Sequence, residues 1–416
     1  MLALATASSV LVACNAILGV EDVTLRERDG GTSRKEDDGG ARPDRAAPAP
    51  DGDVVVDKGE LALGFNHTCA RLPDGTVKCW GDNGAGQIGD GVPFDGSRPS
   101  VLKPQLVPGI SDAVAIASGL GHSCVVHGGG KVSCWGSNIF GQLGDGTNQR
   151  SSKPVKVVDL SNATALAGGT SFTCALRADT TVVCWGANYS GQLGDGLKTD
   201  RSTAAPVKNL TGAVSITAAN DHACAVLENG DVMCWGGNAE GQLGIGSTTE
   251  SLTPTKLNVL SDIAQVAAAS RFSCARQKTG GVYCWGNNQY GQLGNGSPNA
   301  DPNPSPILVP AVGDATFLWT GYEHACAVRK NGTIVCWGRA GDGQLGKGSV
   351  PSDASIPTPV AVVGAPPALG VWTGGDRSCS LAQDGRAFCW GQNSLGQLGN
   401  GTTEQSFAAV QVSDFP

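Results

Sequence analysis

Seven times between residues 69 and 389, two cysteines stand ten positions apart and the second runs straight into Trp-Gly. Cys69 is followed by Cys79, Cys124 by Cys134, Cys174 by Cys184 and Cys224 by Cys234. Further along, Cys274 is followed by Cys284, Cys326 by Cys336 and Cys379 by Cys389. The first cysteines advance by about 52 residues per copy, and a fixed period of this order marks solenoids and propellers. Within each copy a small-residue strand comes first, as at 113–119, 163–169 and 213–219. A short strand carrying the first cysteine follows, then a turn, then Val-x-Cys-Trp-Gly. After a Gly-Gln-Leu-Gly phrase, a polar loop leads to a Pro-Val strand such as 154–158. Four short strands without helical periodicity are the content of one propeller blade.

The turn between the cysteines can be checked by counting. If Cys69 and Cys79 oppose each other in an antiparallel hairpin, the loop is Pro73-Asp74-Gly75. A three-residue hairpin loop places its last residue in the left-handed region, which favours glycine. The equivalent positions hold Gly130, Gly230, Gly280, Gly332 and Gly385, with Thr180 the one exception. Opposed residues approach to about 4.5–5.5 Å between Cα atoms, within reach of a disulfide. Seven disulfides inside the blades are therefore expected, and fourteen paired thiols point to an oxidising compartment. Zinc fits poorly, since each hairpin supplies only two sulfurs, far from those of the next. The tryptophans (Trp80, Trp135, Trp185, Trp235, Trp285, Trp337 and Trp390) face the other way from the cysteines and read as plugs between blades.

The phrase "CWGSNIFGQLGDG" at 134–146, preceded by "GHSCVV" at 121–126, resembles the RCC1 repeat, named for the regulator of chromosome condensation. Seven such copies cover about residues 58–416. The resemblance implies an all-β chain, a seven-bladed β-propeller with four short antiparallel strands per blade. The cysteine pair departs from the family pattern and suits an exported form. A ring must close or leave exposed edges. The N-terminal strand at 52–64 and the C-terminal strand "FAAVQVS" at 407–413 are expected to share one blade, the last strand returning beside blade one.

Ahead of the repeats, Leu11-Val12-Ala13-Cys14 resembles a bacterial lipobox, which implies removal of the preceding peptide and lipidation of Cys14. A lipid thioether also accounts for the odd fifteenth cysteine. The basic start of a signal peptide is absent, and an upstream start codon would supply it. Asn15 after the cysteine points, by the sorting rules of such lipoproteins, to the outer membrane. Residues 15–52 are charged and rich in Gly and Pro, the composition of a disordered tether. The expected organisation is thus a leader at 1–14, a tether at 15–52 and a propeller at 53–416.

Catalytic chemistry finds little footing. His67, His122, His222 and His324 each precede a first cysteine by two, but Phe172, Phe272 and Arg377 fill the same slot elsewhere. A metal ring would not tolerate that, so each imidazole is expected to bond a neighbouring backbone group. "GDGQLGKGS" at 341–349 nearly spells a phosphate loop, yet Gly348 stands where Ser or Thr is needed, and the repeat explains it fully. Asp90, Asp145 and Asp195 share their slot with Ile245, Asn295 and Asn400, which argues against calcium. Neither a cofactor nor a metal is expected. A net charge of −8 without a basic run argues against nucleic acid. No stretch of 18 or more apolar residues is present; membrane attachment is expected through the Cys14 lipid alone, and the assembly as a monomer.

The resemblance leaves three functions. One is a non-enzymatic scaffold of the cell envelope, binding a protein or glycan through variable loops. Another is an envelope glycan hydrolase or lyase. The third is guanine-nucleotide exchange, which needs a cytosolic partner that a disulfide-bonded, lipidated chain does not meet. Where copies diverge before Gly-Gln-Leu-Gly, Phe140, Tyr189 and Tyr290 are the candidate anchors. The segment 92–108 is a further candidate surface. Trp319 and Trp372 replace the small residue found at Ala117, Ala167 and Ala267, and are expected to narrow the central channel.

Overall fold

The computed structural model describes residues 57–94, 98–349 and 354–415. Cys14, the leader, the tether and the first residues of the expected N-terminal strand lie outside these. Within them the chain forms seven four-stranded antiparallel sheets, each built from four consecutive strands. Blade one runs 60–106, followed by 113–156, 163–206, 213–256, 263–308, 315–361 and 368–411. The innermost strands (60–63, 113–118 and their equivalents) surround a channel and the outer strands form the rim. The Pro-Val strand expected at 154–158 begins earlier, at 151, and ends at 156.

The hairpins fall where counting puts them. Cys69 faces Cys79 and Arg71 faces Val77, leaving Pro73-Asp74-Gly75 as the loop. Gly75 has φ +80°, and Thr180 takes the same left-handed conformation at φ +64°. Every expected bridge is present. Cys69 is bonded to Cys79, Cys124 to Cys134, Cys174 to Cys184 and Cys224 to Cys234. Cys274 is likewise bonded to Cys284, Cys326 to Cys336 and Cys379 to Cys389. The one difference is the spacing. Cα separations are 4.0–4.1 Å, closer than expected for opposed residues, because the bridge draws the two strands together.

The glycines of the repeat have two steric reasons. Gly81, after Trp80, has φ +102°, and a Cβ there would lie 2.5 Å from the Asn66 carbonyl. At its equivalents the pairing with the outer strand also shifts register by a bulge. Gly89, which ends the Gly-Gln-x-Gly turn, has φ +77°, and its Cβ would meet Trp135 of the next blade at 2.7 Å.

Each tryptophan is fully buried at such an interface. Its indole N–H donates to the backbone carbonyl of the preceding blade's Gln (Trp135 to Gln87, Trp185 to Gln142, round to Trp80 and Gln397) at 2.8–3.0 Å. The Trp-Gly and Gly-Gln-Leu-Gly phrases are therefore the two halves of one joint, read from opposite sides. Proline in six of the seven outer strands, such as Pro104, Pro154 and Pro254, guards the rim against edge pairing.

Closure differs from the expectation. The last strand, Ser406–Gln411, is the outer strand of blade seven, and Glu60–Leu63 is the innermost strand of blade one, so no blade is shared. Among the described residues the chain enters blade one at its innermost strand and leaves blade seven at its outermost, so each blade is built from consecutive strands. The seam is closed by side chains instead. Fully buried Arg377 donates to the carbonyls of Phe65 and His67 and to Thr68 Oγ1 of blade one. Beyond the last strand, Phe415 packs edge-on against Trp80 at 6.4 Å, and the Asp414 carbonyl accepts from Lys78 Nζ at 2.9 Å.

Candidate functional site

The histidine slot is part of the same joint. Nε2 of His67, His122, His222 and His324 meets the hydroxyl of Ser123, Thr173, Ser273 and Ser378 at 2.8–2.9 Å. Those hydroxyls belong to the next blade, so the partner is a side chain rather than the backbone group expected. Each hydroxyl donates its own proton to a Gln carbonyl, as Ser273 does to Gln242 at 2.9 Å. It therefore accepts from Nε2–H, which leaves Nδ1 as the bare acceptor, buried and unpartnered. Burial pushes His67, His222 and His324 down to about 3 and His122 to about 4, so all four are neutral.

Where the slot holds Phe172 or Phe272, the facing position is Ala223 or Ala325; where it holds Arg377, it is Thr68. The slot thus follows its neighbour's chemistry. Reading each copy against the one after it would have shown this covariation.

The aspartates of the variable slot staple their own loops. Asp90 pairs with Arg98 at 2.5 Å, Asp195 with Arg201 at 2.9 Å, and Asp145 accepts from Asn138 Nδ2 at 3.1 Å. The near-phosphate loop at 341–349 is a turn between strands, with Gly346 against Trp390. In the segment 92–108, residues 101–106 are the outer strand of blade one. Phe94 lies over Gly86 and between the Arg98 and Arg150 guanidiniums, at 4.9 and 4.0 Å. Residues 95–97 lie outside the described chain.

The three candidate anchors lie at one end of the ring. The first residue of each second strand pairs with the glycine ending the third strand, as His67 does with Gly81. The loops flanking those residues therefore emerge together, on one face around the channel mouth. Phe140 and Tyr189 stand there in blades two and three, 38% and 52% exposed; Ile139 is exposed next to Phe140 in sequence, and Leu120 is exposed at the channel mouth. Tyr290 is on the same face but in blade five, half-buried with Arg339 5.9 Å above its ring. The first two anchors lie on neighbouring blades, and the third lies two blades further round.

The other half of the face is acidic, a feature not foreseen from sequence. Arg339 Nη1 lies 3.0 Å from Asp376 and 3.6 Å from Glu323, and its Nη2 lies 3.1 Å from Asp342. Arg271 lies 3.6 Å from Glu240, and Asp221 Oδ1 is buried without a hydrogen-bond partner. Burial raises the pKa of Asp221, Glu323 and Asp376 despite the nearby guanidiniums.

Between the halves opens the channel, with a cavity of about 300 Å³. Ala, Gly, Ser and Thr line blades one to five together with Leu and Ile such as Leu63, Ile116, Leu166 and Ile216, and Trp319 and Trp372 form the wall of blades six and seven. Phe317 packs against both, 6.1 Å from Trp319 and 5.2 Å from Trp372. Phe65 and Tyr322 meet edge-to-face at 5.5 Å at the mouth. At the far end Glu60 is buried, which raises it to about 7, and it accepts from Ile116 N.

Comparison with known proteins agrees with this geometry. The profile of the regulator of chromosome condensation (RCC1) repeat matches residues 74–126, 129–176, 229–276, 279–328 and 384–416. A second profile of the same description matches 60–87, 113–142, 163–192, 213–242, 263–292 and 320–344. The ultraviolet-B receptor UVR8 of Arabidopsis thaliana is 32% identical over 98 residues, 23% of this chain and 22% of the receptor. The mouse regulator of chromosome condensation is 30% identical over 104 residues, 24% of each chain. The matched stretches thus span under a quarter of these relatives' length. Among solved structures, Prp20p of Saccharomyces cerevisiae, described with its binding to Gsp1p and histones, superposes with a TM-score of 0.71. Its identity is 22%, covering 85% of this chain and 88% of Prp20p, which is a likeness of fold.

Proposed function

Since the chain belongs to the RCC1 repeat family, we propose that it is a non-enzymatic binding scaffold that holds a protein partner against its loop face. The observation that carries this reading is the set of exposed apolar side chains on the loops of blades two and three. There Leu120, Ile139, Phe140 and Tyr189 stand exposed on a frame whose joints are buried and hydrogen-bonded. Exposed aromatics on a rigid frame are the residues that anchor interfaces. Binding is also what Prp20p is described as doing, toward Gsp1p and histones. The seven disulfides favour an exported protein over a cytosolic exchange factor. We further propose that a lipid on Cys14 tethers it to the cell envelope, on the outer membrane.

The test is recovery of partners from envelope fractions by the full chain and by an Ile139→Ala/Phe140→Ala/Tyr189→Ala variant. The reading expects a partner that the variant loses. Equal recovery by both proteins refutes the face, and turnover of envelope glycans abolished by one acidic substitution would make the chain an enzyme. Loss of membrane association in Cys14→Ser tests the anchor.

A further inference from the structure

At three loop positions of each blade around the channel mouth, charge differs from blade to blade. At the loop positions flanking the second strand and preceding Gly-Gln-Leu-Gly, blades two and three carry Gly121, Ser137, Phe140, Ser171, Ala187 and Ser190. None is ionisable. Blades four to seven carry Asp221, Glu240, Glu323, Asp342 and Asp376 against Arg271 and Arg339, five negative groups against two positive, a net −3. The deficit is local as well as global. One guanidinium, Arg339, serves three carboxylates within 3.6 Å, and Asp221 Oδ1 has no partner. The carboxylates are half-buried, so their field is screened less than that of fully exposed charges. The upward pKa shifts at Asp221, Glu323 and Asp376 agree that the two arginines do not compensate their burial.

The mouth is apolar on one side. Phe65, Leu120 and Tyr322 of blades one, two and six stand at the entrance to a cavity of about 300 Å³, with the polar Thr170, Asn220 and Ser270 in the equivalent places of blades three to five. Such a volume, at the low end for small-molecule pockets, suits one large side chain. Interfaces concentrate their energy where an apolar anchor enters a pocket, with complementary charge around it.

We propose that the loop face recognises a basic protein segment. It lays Lys or Arg over the carboxylates of blades four, six and seven, sends one apolar side chain into the mouth between Phe65, Leu120 and Tyr322, and rests on the exposed Ile139, Phe140 and Tyr189 of blades two and three. This rests on the scaffold reading and adds the partner's chemistry. Acidic partners and phosphate-bearing ligands are repelled by the same arc.

The probe is a random-peptide library displayed on phage and selected against the full, disulfide-bonded chain. Enriched peptides are expected to place two or more Lys or Arg next to a Leu, Met or aromatic residue. Synthetic copies should lose about tenfold in affinity to a Glu240→Gln/Glu323→Gln/Asp342→Asn variant, near one tenfold step in free energy. They should weaken with ionic strength and lose similarly to Leu120→Ala/Tyr322→Ala. The isosteric amides keep the fold, verified by an unchanged thermal midpoint. Acidic or uncharged peptides, or basic ones indifferent to the neutralised variant, overturn the basic-partner proposal. If those peptides are still lost by the Ile139→Ala/Phe140→Ala/Tyr189→Ala variant, the face reading survives. No enrichment at all, or peptides indifferent to every face variant, overturns both.

Discussion

Four imidazoles held neutral between blades make the ring sensitive to acid. In the unfolded chain a histidine titrates near 6.5; in the fold, His122 is held at about 4 and His67, His222 and His324 at about 3. Below pH 6.5 the unfolded chain therefore binds more protons than the native one, and stability falls as pH falls. The loss continues until the folded values are reached, between pH 4 and 3. Each site contributes a slope of about 1.4 kcal/mol per pH unit, so at pH 5 four sites remove about 8 kcal/mol.

Glu60 opposes this. Raised to about 7, it takes up a proton in the fold first and returns about 2.5 kcal/mol by pH 5. The raised pKa values of Asp221, Glu323 and Asp376 act in the same sense. A difference measurement isolates the imidazoles. The protein already contains the acid-insensitive joint, Phe172 against Ala223, whose ring takes the same place against Gly169 as His122 does against Gly119.

His222→Phe/Ser273→Ala copies that joint into blades four and five. Urea unfolding between pH 6 and 4.5, disulfides intact, should show a pH slope shallower by about 1.4 kcal/mol per unit than wild type. In the folded protein the four buried Cε1 protons should not titrate above pH 5 by NMR. An unchanged slope, or a buried imidazole titrating near 6.5, would refute this reasoning.

Other expectations can be checked by the same unfolding assay. Removing one bridge with Cys224→Ala and Cys234→Ala together should cost about 3 kcal/mol from an eleven-residue loop, less whatever the hairpin retains unaided; no shift in midpoint would count against the bridge. Arg377→Ala strips the seam of its donors and leaves buried carbonyls of Phe65 and His67 without them, at about 1–3 kcal/mol per group. Hydrogen exchange should accelerate first in blades one and seven. Arg377→His, which recreates the histidine–hydroxyl joint with Thr68, should restore part of the loss, and equal damage from both substitutions would deny the seam its special role. Thr180→Gly relieves a left-handed residue at about 1–2 kcal/mol but gives up the bond from Gly212 N at 3.1 Å, so a gain of about 1 kcal/mol or less is expected. Destabilisation by that substitution would contradict the strain.

The blade was legible because what shapes it is local. Ten residues between cysteines, a glycine at the end of a three-residue loop and a tryptophan on the opposite strand face settle hairpin, bridge and plug within one copy. Partners in the next copy were harder to see. Ser123 is 56 residues from His67, and nothing within a single repeat indicates that a hydroxyl rather than a backbone group receives the imidazole. Closure was misread for a related reason. The final strand looks like every outer strand, and pattern alone does not say which blade it finishes. Of the candidate anchors, Phe140 and Tyr189 lie on neighbouring blades, whereas Tyr290 lies beneath Arg339.

By itself the sequence determined the repeat, its strand content, its cysteine pairing and the number of blades, since strand content and pairing follow from spacings within one copy and the blades from counting the copies. Only the closed ring decided which copies meet, that Arg377 reaches Thr68 across 309 residues, and that carboxylates from three separate blades converge on one arc. The physical reason is rotation: every copy is turned about the channel axis relative to the last. A residue's neighbours on the loop face are thus set by its angle around the ring rather than by its distance along the chain.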